Sequence, residues 1–270
     1  MLANMHRIAL KLSWARKVDR RVVSMIKRAL NVPDAYIEMA NIFRHVPGAV
    51  VLDIGSHEGD TVLKMLDYMP EAQIHAFEPT PSTAEVLRQR LRGKANVQVH
   101  QVALCDRTGT VRLQCNRNEQ TNSVLRNVHK PAPVTQGGQT PIREIDVGAE
   151  TLDDWIVREQ IHNPLIVKAD IQGAETLLIK GGKKSFVKQI VLFYSEISIL
   201  PQYEGQADFS EIHNLLTRHH QFALVDIFPC GRDRLGRAAF TDALWVRMDV
   251  LETLASRACV LGENRAGRSP

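Results

Sequence analysis

The sequence predicts an α/β protein built on a doubly wound, mostly parallel sheet, with an antiparallel hairpin at the sheet edge and a basic helical extension in front. Three observations predict it. Short, continuously apolar runs alternate with amphipathic stretches of helical period along most of the 270 residues, as expected for strands buried on both faces and joined by right-handed crossovers. The run AVVLDI ends in the loop GSHEG, which opens a helix. The last two apolar runs are separated by turn-rich sequence around Pro229, Cys230 and Gly231 instead of a helix, which fits an antiparallel pair.

The elements follow in order. In the first thirty residues Ile8, Leu12, Val22, Met25 and Ile26 fall at three-and-four spacing, a helical stripe. Pro33 interrupts it, Asp34 is placed to cap a second helix reaching about His45, and Pro47-Gly48 ends that one. Strands are expected at 49–54, 73–78, 96–102, 164–170 and 189–196, with helices at 60–68, 81–92, 173–181 and 208–219. TLDDWIVRE reads as a short helix. Between the third strand and that helix, residues 110–147 read as an insertion, with TVRLQC and IREIDV strand-like around a polar stretch holding Gly137-Gly138. QFALVDIF (221–228) and FTDALWVRM (240–248) form the closing hairpin, and the sequence beyond about residue 257 is a polar tail. Trp155 and Trp245 read as core, His100 as part of strand three, and His219-His220 as the solvated end of a helix.

Charge and composition exclude several classes. The longest apolar runs are too short to span a bilayer, and His6, Arg7 and Lys11 interrupt the N-terminal apolar residues that a secretory signal would need. Residues 1–30 carry eight bases and one acid, leaving a net −3 for the rest. A body that is not basic argues against a nucleic-acid partner. The four cysteines make no CxxC pair and the histidines no HxxxH or HExxH, so reduced thiols and a cytoplasmic location are expected. The basic extension leaves three readings open: packing on its own domain, peripheral contact with an anionic membrane, or docking to a second subunit. The oligomeric state is open as well.

The strand ending at Asp53 runs into a loop bracketed by Gly55 and Gly59 and then into a helix N-terminus. Glycine lets the backbone approach a ligand, and the helix end offers unpaired N–H groups. The next strand ends at Glu78, 23 residues after Gly55, where an acid can accept from both hydroxyls of a ribose. A dinucleotide loop wants G-x-G-x-x-G, but here the spacing is G-x-x-x-G with His57 in the middle. A cofactor with a small amino-acid end and no pyrophosphate tolerates that loop. The expected cofactor-binding set is Asp53, Gly55, Ser56, His57, Gly59, Thr61, Glu78, Pro79, Ala103 and Leu104.

Four segments now carry a family likeness: VVLDIGSHEGDT, the Phe77-Glu78-Pro79 step, TLDDW at 151–155, and VKADIQGAE at 167–175. Together they resemble the FkbM-type methyltransferases over about residues 49–248, and VKADIQGAE is the most distinctive. The resemblance implies a Rossmann-like class I methyltransferase sheet that uses S-adenosylmethionine for O-methylation of sugars, glycans or polyketide-like natural products. His57 stands where the family often has asparagine. The implied organisation is an extension over residues 1–46, a methyltransferase domain over 47–257 with its insertion at about 108–148, and a tail over 258–270.

In a doubly wound sheet the ligand lies beyond the carboxyl ends of the strands, where Asp170 and Glu196 stand. Lys168, two residues before Asp170, points to the same side of its strand. Methyl transfer to an alcohol needs alignment and removal of a proton. Asp170, Glu196 and Lys168 are therefore the catalytic candidates, with Asp170 as base or orienting acid. In a second version Asp170 and Glu196 hold a Mg²⁺ that acidifies the hydroxyl; in a third, Asp170 is structural. No Pro-Pro-Tyr follows the Asp170 strand, as methylation of a planar nitrogen would suggest. Glu175 sits in the first turn of the next helix, where an acid suits the dipole. Glu119, Asn122, Ser123 and Tyr203 are weaker candidates for facing a small-molecule or glycan acceptor. Two rivals remain: an NAD-dependent oxidoreductase and a non-catalytic nucleotide-binding module.

Overall fold

The computed structural model describes residues 34–128, 139–233 and 235–256. The basic first thirty residues, the Gly137-Gly138 pair, Cys259 and the polar tail lie outside the described residues.

The chain opens with α1 (Ala35–His45), whose first turn is held by Asp34 accepting from the Tyr36 N–H. There follow β1 (Val50–Ile54), α2 (Asp60–Tyr68), β2 (Gln73–Phe77), α3 (Pro81–Arg90) and β3 (Val97–His100). Next come β4 (Ala103–Cys105), β5 (Gly109–Asn116), β6 (Pro141–Thr151), α4 (Leu152–Arg158) and β7 (Leu165–Ala169). The second half holds α5 (Glu175–Gly181), α6 (Lys183–Lys188), β8 (Ile190–Ser198), α7 (Phe209–Asn214), β9 (Phe222–Ile227), β10 (Gly231–Arg232) and β11 (Ala238–Arg247). A last helix, α8, covers residues 248–256.

The main sheet runs β3-β2-β1-β7-β8-β11, and the far side of β11 pairs with β9 and β10. β3, β2, β1, β7 and β8 are mutually parallel, while β11 is antiparallel to its neighbours. Strand alternation builds a core on each face. Leu52, Val167, Phe193 and Trp245 pack with Trp155 of α4, Leu178 of α5, Phe186 of α6 and Ile212 of α7. Val51, Ile166, Leu192 and Leu244 pack with Met39 of α1, Met65 of α2, Leu87 of α3 and the half-buried Leu251 of α8. Helices thus cover both faces, as the continuous apolar runs require.

The insertion folds as the antiparallel pair β5–β6, joined in parallel by β4 into a second, three-stranded sheet with its own small core around Val111, Leu113 and Val147. Several expectations are corrected. β11 lies inside the sheet between β8 and β9, so the expected edge hairpin places one of its two strands in the interior. The helix expected over 208–219 is α7 followed by a π-helical turn at Leu215–His219. α5 starts at Glu175, two residues later than expected, because Gln172 and Gly173 take positive φ. Beyond the expected elements the chain forms β4, α6, β10 and α8. His220 is buried and its ring lies against Phe186, not in solvent.

Candidate active site

A cavity of about 480 Å³ opens at the carboxyl ends of β1, β2, β7 and β8 and is walled on its outer side by the insertion. Its floor depends on Gly55. The φ there is +81°, and a Cβ would lie 1.9 Å from the Asp170 carbonyl oxygen. Only glycine lets the β1 loop and the β7 loop meet so closely. The next left-handed residue, His57, has φ +48° and turns its N–H into the site.

One end of the cavity is organised by Glu78. Its two carboxylate oxygens accept from the backbone N–H of His57 (3.1 Å) and of Thr80 (2.9 Å). Burial pushes this carboxyl up, and the two backbone donors pull it back toward the charged form. A carboxylate has about four lone-pair sites, so capacity for two further donors remains. Gly55, Ser56, His57, Thr61, Pro79, Ala103 and Leu104 all line the cavity, together with the apolar Phe77 and Val102.

Asp53 and Gly59 stand elsewhere. Neither lines the cavity. Asp53 is fully buried below the loop, 3.2 Å from Lys168 Nζ, and accepts from Thr61 Oγ1 at 2.5 Å. Asp53 and Lys168 are direct neighbours in the parallel register of β1 and β7. Burial alone would push the Lys168 ammonium down, but Asp53 and then Asp170 outweigh it and hold it above its usual value. The lysine also donates to the Gly55 carbonyl at 3.3 Å. Asp53 therefore anchors the lysine and the loop from beneath, while Gly59 precedes α2 outside the lining.

At the other end stand Asp170 and Glu196, both half-buried and both lining the cavity. Lys168 Nζ is 4.0 Å from Asp170. Gln172 Nε2 donates to Asp170 at 2.8 Å and reaches Glu196 at 3.4 Å. Burial raises the Glu196 carboxyl well above its ordinary value, and the neighbouring Asp170 and Asp242 raise it further. Asp242 stands opposite Glu196 in register and accepts from the Tyr194 hydroxyl at 2.9 Å. Glu175, buried at the start of α5, is pushed up to about 7, mainly by burial. The alternative in which Asp170 and Glu196 hold a Mg²⁺ does not fit. An amide donor bridges the two carboxylates that would ligate the ion, and among the described residues no group of three His, Cys, Asp or Glu is placed to hold a metal.

The insertion supplies the polar wall. Glu119, Asn122 and Ser123 line the cavity. Glu119 accepts from Thr83 of α3 at 3.1 Å, and Ser123 Oγ donates to the Gln172 carbonyl at 2.7 Å. Tyr203 is buried behind Gln172 and outside the lining. Sequence reasoning passed over Gln172, Gln139, Gln202, Thr80 and Phe240, which also shape the site. Gln172 lies inside VKADIQGAE, the most distinctive segment, but a single glutamine has no spacing signal of its own.

The chain matches the methyltransferase FkbM domain over residues 53–224. It is 28% identical over 220 residues to the 2-O-methyltransferase NoeI of Sinorhizobium fredii (strain NBRC 101917 / NGR234), covering 80% of this chain and 82% of that protein. Among solved structures it is similar to an rRNA methylase from Streptococcus thermophilus, with TM-score 0.45 and 9% identity over 79% of this chain and 93% of that one. It is also similar to magnesium protoporphyrin IX methyltransferase (ChlM) from Synechocystis PCC 6803 with bound SAM, with TM-score 0.42 and 11% identity over 79% and 77%. The oxidoreductase alternative falls with the domain match, which spans more than half of the sequence. The chain belongs to the FkbM methyltransferase family and is an S-adenosylmethionine-dependent methyltransferase.

Proposed function

We propose that the enzyme methylates a hydroxyl oxygen of an uncharged saccharide, glycan or related natural product. One observation carries the reading: a single cavity joins Glu78, backed by two backbone amides, to a pair of carboxylates on the neighbouring strand ends of β7 and β8. Glu78 suits the ribose of the cofactor, Phe77, Val102 and Leu104 suit its adenine, and the β1–α2 loop suits its amino-acid end. When bound, S-adenosylmethionine supplies an electrophilic methyl group on a sulfonium. The chain's own task is then to orient the acceptor and take its proton. Asp170 receives that proton at its carboxylate. Lys168, locked to Asp53, holds its ammonium 4.0 Å from that carboxylate. Glu196, held toward its neutral form, offers the acceptor a hydrogen bond.

The charge of the lining supports an acceptor without phosphate. Among the described residues, Glu78, Glu119 and Asp170 face the cavity with Lys168 as its one lining lysine, while Glu58 and Asp60 are paired with Arg90, a balance that disfavours anions. The relative NoeI is named a 2-O-methyltransferase, which supports an oxygen acceptor. Calorimetric titration with S-adenosylhomocysteine and NAD, followed by a panel of neutral and phosphorylated glycosides, tests the reading. Binding of the first ligand alone and methylation of a neutral glycoside are expected. Methylation confined to phosphorylated sugars or RNA would overturn it. Asp170→Asn should keep cofactor affinity and lose at least about a hundredfold in turnover, the low end for general base catalysis. EDTA should leave the wild-type rate unchanged; loss on chelation and recovery with Mg²⁺ would restore the metal version.

A further inference from the structure

We propose that Tyr203 and Gln172 form a positioning pair that sets Asp170 and Glu196 from the acceptor side of the cavity, so that docking of the insertion and arrangement of the carboxylates are one event. The inference rests on the reading that Asp170 acts on the acceptor.

Gln172 has φ +54°, a backbone strain that persists only where surroundings enforce it. Its side chain is held at both ends. The Tyr203 hydroxyl lies 2.9 Å from Oε1, and Nε2 faces Asp170 and Glu196. A carboxylate acting as base only accepts, so the amide presents its NH₂ to Asp170, and its oxygen is left for the phenol to bind. Burial pushes the Tyr203 phenol up, which keeps it a neutral donor.

The tyrosine is itself fixed. It is 2% exposed, and at Gly173 (φ +92°) a Cβ would come within 3.0 Å of its ring and 3.1 Å of Gln206. Gln206 Oε1 accepts from the N–H groups of Gln202 and Tyr203. The same segment is stitched to the insertion. Glu204 N–H donates to the Arg126 carbonyl (2.7 Å), Val128 N–H to the Gln202 carbonyl (3.1 Å), and Asn127 bridges Tyr203. The Tyr203 hydroxyl also lies 3.0 Å from the carbonyl of Thr121, in the wall of the cavity. Backbone hydrogen bonds therefore tie the Tyr203 segment to the insertion, and Tyr203 in turn holds the Gln172 amide that reaches the two carboxylates.

Glu196 is faced by Lys168 and Asp170 at the end of β7, Glu175 of α5 and Asp242 of β11, so its titration reports the arrangement. Protein carrying ¹³C-labelled glutamate carboxyls, with the signal assigned by Glu196→Gln, is titrated for the wild type, Gln172→Leu and Tyr203→Phe. Losing the bridging donor leaves the Asp170 charge unshielded, so Glu196 should titrate at higher pH in both variants, more so in Gln172→Leu. S-adenosylhomocysteine affinity should stay within about twofold, since no partner of Glu78 is touched. On the glycoside accepted by the wild type, kcat should fall about ten- to a hundredfold in Gln172→Leu, the scale of a hydrogen bond to a charged group, with a smaller change in acceptor KM. An unchanged Glu196 titration overturns the proposal. So does a downward shift, which signals that the site has opened to water and that the pair merely packs. An effect in Gln172→Leu alone removes Tyr203 from the pair. If Tyr203→Phe does not fold, Gln172→Leu still decides, because an unmoved titration there is fatal. Loss of turnover in Asp170→Asn tests the underlying reading separately.

Discussion

At the scale of single residues, the site depends on carboxylates whose surroundings differ. Glu78 spends part of its accepting capacity on its own backbone and keeps the rest for a ligand. Glu78→Ala should weaken S-adenosylhomocysteine binding by about 1.5–3 kcal/mol, the scale of hydrogen bonds to a charged acceptor; calorimetry on the folded variant measures it. Glu175 behaves differently. It is buried at the N-terminal turn of α5, with the N–H groups of Ile171 and Gly173 at 3.4 and 3.3 Å, and titrates at about 7. In the unfolded chain it releases its proton near 4.5, the ordinary glutamate value. Between the two values the folded state holds the extra proton, so stability falls as pH rises from about 4.5 to about 7 and is level above that. The gap corresponds to at most about 3 kcal/mol. Glu175→Gln keeps an acceptor for both amides and removes the titration. Urea unfolding from pH 4.5 to 8 should show the variant gaining on the wild type across that window, and parallel curves would contradict the assignment.

At the scale of elements, the β1–α2 loop was the most legible part of the sequence, because its glycines, its buried strand and the acid closing β2 each answer to a local rule. The strand and helix that carry Asp170 were legible for the same reason. What escaped were features fixed by contacts distant in sequence. β4 is only three residues long and is a strand because it pairs with β6, over forty residues on. α6 follows α5 with only Gly182 between them, a break invisible to periodicity. Asp53 looked like a ligand residue because it ends a strand, yet the register with Lys168 turns it into a buried counter-ion. Gln172 is noticed only once its amide is seen between two acids. The loop itself is testable. Gly55→Ala forces a left-handed φ, costing about 1–2 kcal/mol, and drives its methyl into the β7 loop backbone. S-adenosylhomocysteine affinity should fall at least about tenfold, with β1 and β7 still protected from hydrogen exchange; undiminished affinity would mean the loop is not the cofactor cradle.

At the scale of the whole molecule, charge is unevenly placed: residues 1–30 hold a net +7 and the remainder a net −3. No helix among the described residues is long and apolar enough to cross a membrane. If the basic residues contact an anionic surface, sedimentation with anionic vesicles at low salt should pellet the full chain, release it at high salt, and leave a chain starting at residue 31 in the supernatant. Equal behaviour of the two chains removes that contact. The sheet has an order of completion as well. β11 comes after every other strand of the sheet in the sequence, yet it sits between β8 and β9, and its Trp245 fills the core beneath β8. On the ribosome, then, β8 must wait with one edge unpaired until the segment around residue 247 has cleared the exit tunnel. A nascent chain stalled near residue 235 should stay protease-sensitive and bind holdase chaperones, and one extended past the tunnel beyond residue 256 should snap into resistance. The sheet thus closes only when β11 is available, and a chain that lacks this segment shows the β8 edge, which cellular quality control can recognise.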